Sequence, residues 1–295
     1  MTRTHPHAAA VASSAGASEG GDRQPDTFVR EWQEWHDHHE RALADPHGFL
    51  AVTGLHWLAA RPRRFPGVPG QWHSGPRGVV VSLADGELVV VDDRPVTGRH
   101  EFGPIEERDG ITVGIDGGVL EIARRGGYDI LRPRRPEHPL RTGYRGTPAY
   151  PPTTRWVLSG RFVPFDTARP TRVGAAVEGL QHVYDAPGAV EFAVDGVPLR
   201  LTAFNGRSPG SLSVLFTDGT SGVTTYAANR ALAIDPPDEQ GRVTLDFNRA
   251  INLPCAYTDF ATCPLPPAEN RLPIAIEAGE QIPYERLAAD LPAQP

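Results

Sequence analysis

The chain has 295 residues, a formal net charge of −7, 39% hydrophobic residues, 31 glycines and 30 prolines. That is the make-up of a turn-rich globular protein, and it excludes a general nucleic-acid binder, which needs a concentrated basic face. All its basic side chains other than histidine are arginine, so a pyridoxal Schiff base, a P-loop phosphate clamp and the kinase ion pair are excluded with lysine.

No apolar run approaches the roughly 20 residues that span a bilayer, so no membrane association is expected. Residues 1–25 are rich in Ala, Ser, Gly and His and lack the basic start and apolar stretch of a signal peptide. They read as a disordered tail on a cytoplasmic protein, and residues 26–295 as a single domain. In a reducing compartment Cys255 and Cys263 are expected to stay thiols.

Asp26 is placed to cap a helix running to about residue 44, where Asp45-Pro46 stops it. Phe28, Trp32, Trp35, His39 and Leu43 recur at helical spacing and form one aromatic-rich apolar stripe. Residues 49–60, with Leu50, Leu55, Trp57 and Leu58, predict a second short helix, so 26–60 is expected to be helical. Residues 61–76, rich in arginine and proline, end it.

A β-rich body is expected over 79–280. Residues 79–93 carry two β-branched runs around Asp85-Gly86, a pairing that predicts a hairpin with a type I′ turn. Similar layouts surround Asp116-Gly117 and Asp195-Gly196, and Asp218-Gly219 falls within a longer turn. Residues 156–165 read as a further strand. The fold class is mainly β (α+β): an antiparallel, hairpin-built barrel or sandwich with N-terminal helices packed against it.

Strand-like runs at 243–247 and 272–276 flank a long segment in which Pro254, Pro264, Pro266 and Pro267 forbid a regular ladder. Loops longer than about 15 residues are disordered or functional, and the aromatics and cysteines here argue for order. The leading functional expectation is a small-molecule pocket bounded by the loop 248–271 and the hairpin 217–230, as at many barrel mouths. Asn248, Asn252, Tyr257, Asn270 and Arg271, with Tyr226, Asn229 and Arg230, are its candidate ligand-binding residues. An anionic ligand or substrate is one option. No cofactor is named by the pattern, and the oligomeric state is left open.

Three blocks carry a family resemblance: FVREWQEWHDHHERALADPHGFLAVTGLHWL, LFTDGTSGVTTYAANRAL and DFNRAINLPCAYTDFATCPLPPAENRLPIAIEAGE. The chain resembles the bacterial domain-of-unknown-function family numbered 1684 over nearly its whole length after the first 25 residues. The last block is the most specific, with its asparagines, Pro254-Cys255 and Cys263-Pro264. The resemblance implies a common fold; the family has no established reaction, so it transfers no catalytic residues.

Two other chemistries are open. Cys255 would serve a cofactor-free hydrolase or transferase as thiolate nucleophile if a histidine or helix N-terminus lowered its pKa; the bland reading is that Cys255 and Cys263 pack the loop as small apolar residues. His36, His39 and Glu40 can share one helix side and hold a divalent metal in a metal-dependent enzyme. Against this, no HExxH spacing is present and His39 lies on the apolar stripe, which favours solvated or core-capping histidines and leaves no residue assigned as a metal ligand. His56, His138 and His182 are isolated in sequence.

Gly206-Arg207-Ser208-Pro209-Gly210 matches G-x-S-x-G, but strands on both sides make it a hairpin loop, so Ser208 is rejected as a nucleophile. Arg132, Arg134, Arg135 and Arg141 suit a small anion, with a solvated loop the stronger reading. No G-x-G-x-x-G joins a strand to a helix, so a Rossmann cofactor site is unsupported.

Overall fold

The computed structural model describes residues 25–289; residues 1–24 of the expected tail lie outside the described residues. These fall into two compact units, one of residues 41–144 and 258–261, the other of residues 25–40, 145–257 and 262–289.

The first unit is built from two antiparallel sheets. Six strands run in the order His56–Trp57, Tyr128–Arg134, Gly118–Arg125, Gly110–Ile115, Val89–Val91 and Arg94–Val96; four run Arg63–Phe65, Val68–Gly75, Gly78–Ser82 and Arg99–Gly103. Trp72, Val79 and Val81 of the smaller sheet share one core with Val89, Val113, Leu120, Ile122 and Leu131 of the larger, the packing of a sandwich.

Three expectations are corrected in this unit. The hairpin at Asp85-Gly86 does not form: Gly78–Ser82 pairs with Val68–Gly75 and Arg99–Gly103, while Val89–Val91 belongs to the other sheet. The tight turn is instead Asp92-Asp93, between Val91 and its partner Arg94. Both residues have positive φ, 47° and 60°, as a type I′ turn demands. Asp85-Gly86 links two layers rather than two neighbours.

The second helix shrinks to one 3₁₀ turn, Phe49–Ala51. Beyond it Val52 bridges Arg134, Thr53 N–H donates to Pro133 O at 2.9 Å, and His56–Trp57 pair with Leu131 and Ile130. The apolar residues there are buried by extending the sheet, a tertiary gain that overrides local helix propensity. The arginine cluster is likewise no solvated loop, because Arg132 and Arg134 lie on the strand Tyr128–Arg134.

The second unit holds most of helix α1 (Pro25–Leu43), which carries Asp26 in its first turn. Its seven-stranded antiparallel sheet runs Arg242–Asp246, Val157–Gly174, Gln181–Val194, Val197–Asn205, Leu212–Phe216, Arg230–Ile234 and Ile251–Asn252. Val190, Leu201, Val214, Phe216, Leu232 and Leu245 pack with Phe247, Leu272, Ile276 and Ala278. The turn at Asp195-Gly196 forms as expected, with φ of 49° and 80°. The strand orders run from edge to edge, so these are open sheets and not a closed barrel.

The long loop is ordered by 3₁₀ turns at Phe247–Arg249, Pro254–Ala256 and Ala268–Asn270. Residues 272–276 are not a ladder strand. They run beside the 217–219 turn, with Leu272 N–H on Thr217 O and Gly219 N–H on Ile274 O, both at 2.8 Å.

Candidate functional site

Most of the polar residues expected to line a pocket instead tie the second unit together. Asn270, fully buried, accepts the Thr202 N–H at 2.7 Å and donates to Thr202 O and Leu215 O. Asn248 exchanges bonds with the backbone of Thr153, donating at 3.0 Å and accepting at 2.9 Å. Asn252 donates to Gln281 O and Asn229 to Pro264 O. Arg230 is buried against Asp218 at 2.9 Å and donates to Ile276 O and Ala278 O. Arg271 is exposed and Tyr226 half-buried. Buried amides of this kind serve as backbone substitutes where no ladder is available.

Cys255 and Cys263 are buried and form no disulfide, and the Cys255 N–H lies 3.3 Å from Cys263 Sγ. The hydrogen bond to the Cys263 thiol, and then burial, push the Cys255 thiol well above its ordinary value. A thiol held protonated is a weak nucleophile.

The isolated histidines are separately placed. His138 Nδ1 faces Leu50 O at 3.0 Å and His56 stacks on Phe65. His182 reaches the long loop, its Nε2 being 2.8 Å from Thr262 O. Ser208 sits in the loop joining Val197–Asn205 to Leu212–Phe216, as the sequence implies.

The arginine cluster is occupied by protein acceptors. Arg132 and Arg134 bond Glu121, with Arg125 at 3.4 Å; Arg135 bonds Gly67 O and Asp116 O, and Arg141 bonds Ala44 O and Pro136 O.

A convergent set of donors does form elsewhere in the second unit, on α1. Trp32 donates its indole N–H to Asn248 O at 2.8 Å, which docks the helix. Trp32 stacks on His36 with centroids 4.7 Å apart, and Trp35 on His39 at 5.8 Å, fixing both imidazoles. Opposite them stands Glu280. Its position depends on Gly279, whose φ is +75° and where a Cβ would fall 2.5 Å from Ala250 O; glycine alone fits there.

The carboxylates are held on one side each. Glu280 Oε2 accepts the Asn252 N–H at 2.6 Å and lies 3.5 Å from the Tyr257 hydroxyl, itself 2.8 Å from Thr147 Oγ1. Glu40 Oε2 accepts the Thr147 N–H at 3.1 Å. The donor atoms of His36, Glu40 and Glu280 all lie within 4.8 Å of one another. His36 Nε2 is 3.8 Å from Glu40 Oε1.

His39 Nε2 is 3.1 Å from Glu280 Oε1, an ion-pair contact without hydrogen-bond geometry. Burial alone would lower the His39 pKa; the Glu280 carboxylate, aided by Glu40 and opposed by Arg207, raises it above the usual imidazole value. His36 Nε2 and Glu280 Oε1 have no hydrogen-bond partner among the described residues. Buried polar atoms of this kind are satisfied by ordered water or by a bound ion.

Sequence reasoning found His36, His39 and Glu40 as a helix side and Tyr257 as a polar residue of the loop. It did not assign Glu280, whose cue is a single acidic residue following glycine at the end of an apolar run. A separate cleft of about 360 Å³ is lined by Phe165, Arg169, Thr171, Arg200, Thr202 and Glu269.

The described chain is thus a mainly antiparallel β protein with an N-terminal helix that contributes to a buried His/Glu cluster. Residues 142–281 match the model of the family described as a protein of unknown function, DUF1684. The second and third sequence blocks fall within that span, and the first lies outside it. No curated protein matches the chain. Among solved structures, the solution NMR structure of the uncharacterized protein from gene locus rrnAC0354 of Haloarcula marismortui is 28% identical, covering 48% of this chain and 78% of that one with a TM-score of 0.41.

Proposed function

We propose that the protein is a divalent-metal-dependent enzyme with its centre at His36, Glu40 and Glu280. The observation that carries this reading is the convergence of one imidazole and two carboxylates, donor atoms within 4.8 Å, where His36 Nε2 and Glu280 Oε1 have ion-pair contacts with Glu40 and His39 but no hydrogen bond among the described residues. Three protein donors leave coordination positions for water or substrate, the pattern of a catalytic rather than a closed structural site. An ion there would polarise a carbonyl or phosphoryl oxygen, or lower the pKa of a bound water. The Glu40 side chain, 17% exposed against 1% for Glu280, marks the side from which solvent reaches the centre.

Elemental analysis of protein purified without chelator tests the reading. It predicts about one transition-metal ion per chain in the native protein and its loss in Glu280→Gln. Protein that carries no ion and takes up none at micromolar concentration would refute it.

A second reading rests on the cleft at Arg169 and Arg200. Arg169 lies on the Phe165 ring, 3.8 Å from its centroid, and Arg200 contacts Glu191 at 3.6 Å; two guanidinium groups over a cleft suit a small anionic molecule. It predicts thermal stabilisation by millimolar carboxylate or phosphate compounds that Arg169→Ala abolishes. A cytoplasmic setting accords with two cysteines that form no disulfide. Among the described residues, no helix is long and apolar enough to cross a membrane.

A further inference from the structure

Cys255 and Cys263, both buried in the second unit, form a pair whose members are not equivalent, a feature independent of the metal-centre reading. Each backbone is separately anchored. Ala176 N–H donates to Cys263 O at 2.8 Å, and the Arg286 guanidinium donates to Cys255 O at 3.0 Å and to Ala256 O at 3.2 Å.

Between these anchors the hydrogen bonds run toward one sulfur. The Cys255 N–H, in the 3₁₀ turn Pro254–Ala256, donates to Cys263 Sγ at 3.3 Å. The bond between the two thiols keeps its proton on Cys255, so Cys263 Sγ receives a second donor. Donors that converge on a sulfur favour its thiolate, and the thiolate is the nucleophile. Burial opposes charge on either sulfur, and the Arg286 guanidinium beside the pair offsets part of that cost. Cys263 is also the more open of the two, 7% exposed against 3%. Cys255, the nucleophile expected from the sequence, stands instead as the second thiol of a dithiol pair.

We propose that Cys263 is an oxidation site for hydroperoxides and that Cys255 resolves the product into an intramolecular disulfide. The Cys263 sulfur attacks one oxygen of hydrogen peroxide, the O–O bond breaks, and the other oxygen leaves as water, so that Cys263 becomes a sulfenic acid. Cys263 then no longer carries the charge that held the proton on Cys255. The Cys255 sulfur attacks Cys263 Sγ, the S–O bond breaks, and hydroxide departs as water with the Cys255 proton. The two sulfurs together give up two electrons, and the peroxide is reduced to two waters. A dithiol reductant reverses the bond by exchange.

The test exposes the reduced full chain, in native buffer without reductant, to a few equivalents of hydrogen peroxide and reads intact mass and free thiols after acid quenching. The expected result is loss of the mass of two hydrogens and of both thiols within one chain, restored by dithiothreitol. A chain that keeps both thiols, gains oxygen on Cys263 without closing the bond, or cross-links to a second copy overturns the proposal. Dimedone, which traps sulfenic acid, assigns the roles. Peptide mapping should find the label on Cys263 in Cys255→Ser and several-fold less on Cys255 in Cys263→Ser. Equal labelling, or the reverse preference, overturns the assignment of Cys263 as the attacking sulfur. The wild-type mass change needs no variant, so it decides the disulfide even where a serine variant fails to fold.

Discussion

Glu280 owes its place to the residue before it. Gly279 sits at φ +75° between the carbonyls of Phe247 and Ala250, and a Cβ there would fall 2.8 and 2.5 Å from their oxygens. Gly279→Ala is expected to destabilise the second unit by at least about 1 kcal/mol and to lower metal uptake together with it; a urea midpoint equal to wild type would show that the turn can widen to admit a methyl group. Asp218 is the other residue on which much converges. It pairs with Arg230 and accepts from Thr220 N–H and Ile276 N–H. Asp218→Asn should cost about 3–5 kcal/mol, because Arg230 is left buried without a counter-charge, and a shift of less than about 1 kcal/mol in denaturant titration would mean the pair is solvated. Cys255→Ala separates the thiol-enzyme alternative: the protonated, buried thiol predicts sluggish alkylation below pH 8 and no loss of metal uptake.

The elements that could be read from sequence were those fixed by local chemistry. Asp195-Gly196 forms its hairpin because both residues tolerate positive φ and the flanking strands pair with each other. The same reasoning failed at Asp85-Gly86, where the flanking runs pair with other strands in two different sheets. It overlooked Asp92-Asp93, where aspartates adopt the left-handed conformation usually left to Asn-Gly. Asp93→Gly should therefore relieve backbone strain and stabilise the first unit by a few tenths to about 1 kcal/mol; a lower thermal midpoint in that variant would show that the Asp93 side chain matters more than its φ. Helix α1 was legible from its stripe and its Asp26 start. The 49–60 segment was not, since its leucines and tryptophan satisfy either period and a sheet edge was waiting for them.

On the scale of the whole molecule, the first unit also holds a buried charge, Glu121, 1% exposed. Burial alone would raise the Glu121 carboxyl, but Arg132 and Arg134, with Arg125, overcome it and hold the group well below the usual carboxylate range. A depressed native pKa adds stability that is fully present above the unfolded value, about 4.3, and is lost as pH falls below it. Wild type should exceed Glu121→Gln in stability at pH 7, and that advantage should shrink steadily as pH drops below about 4. A difference independent of pH between 7 and 3 would mean that the group is not ionised in the folded protein.

The sequence by itself determined what is local or compositional: an antiparallel β protein, the first helix, two of the short hairpins, the ordered proline-rich loop, and the absence of lysine chemistry. It also put His36, His39 and Glu40 on one side of a helix, since a period of 3.6 residues requires it. Only the tertiary structure decided which polar residues are internal ties and which face one another across the fold. Asn248, Asn252 and Asn270 read as ligand donors until the backbone groups they satisfy are in place, because an asparagine's partners are set by whatever lies within about 3 Å. Glu280 joins His36 and Glu40 from about 240 residues along the chain, a distance over which no sequence period carries information.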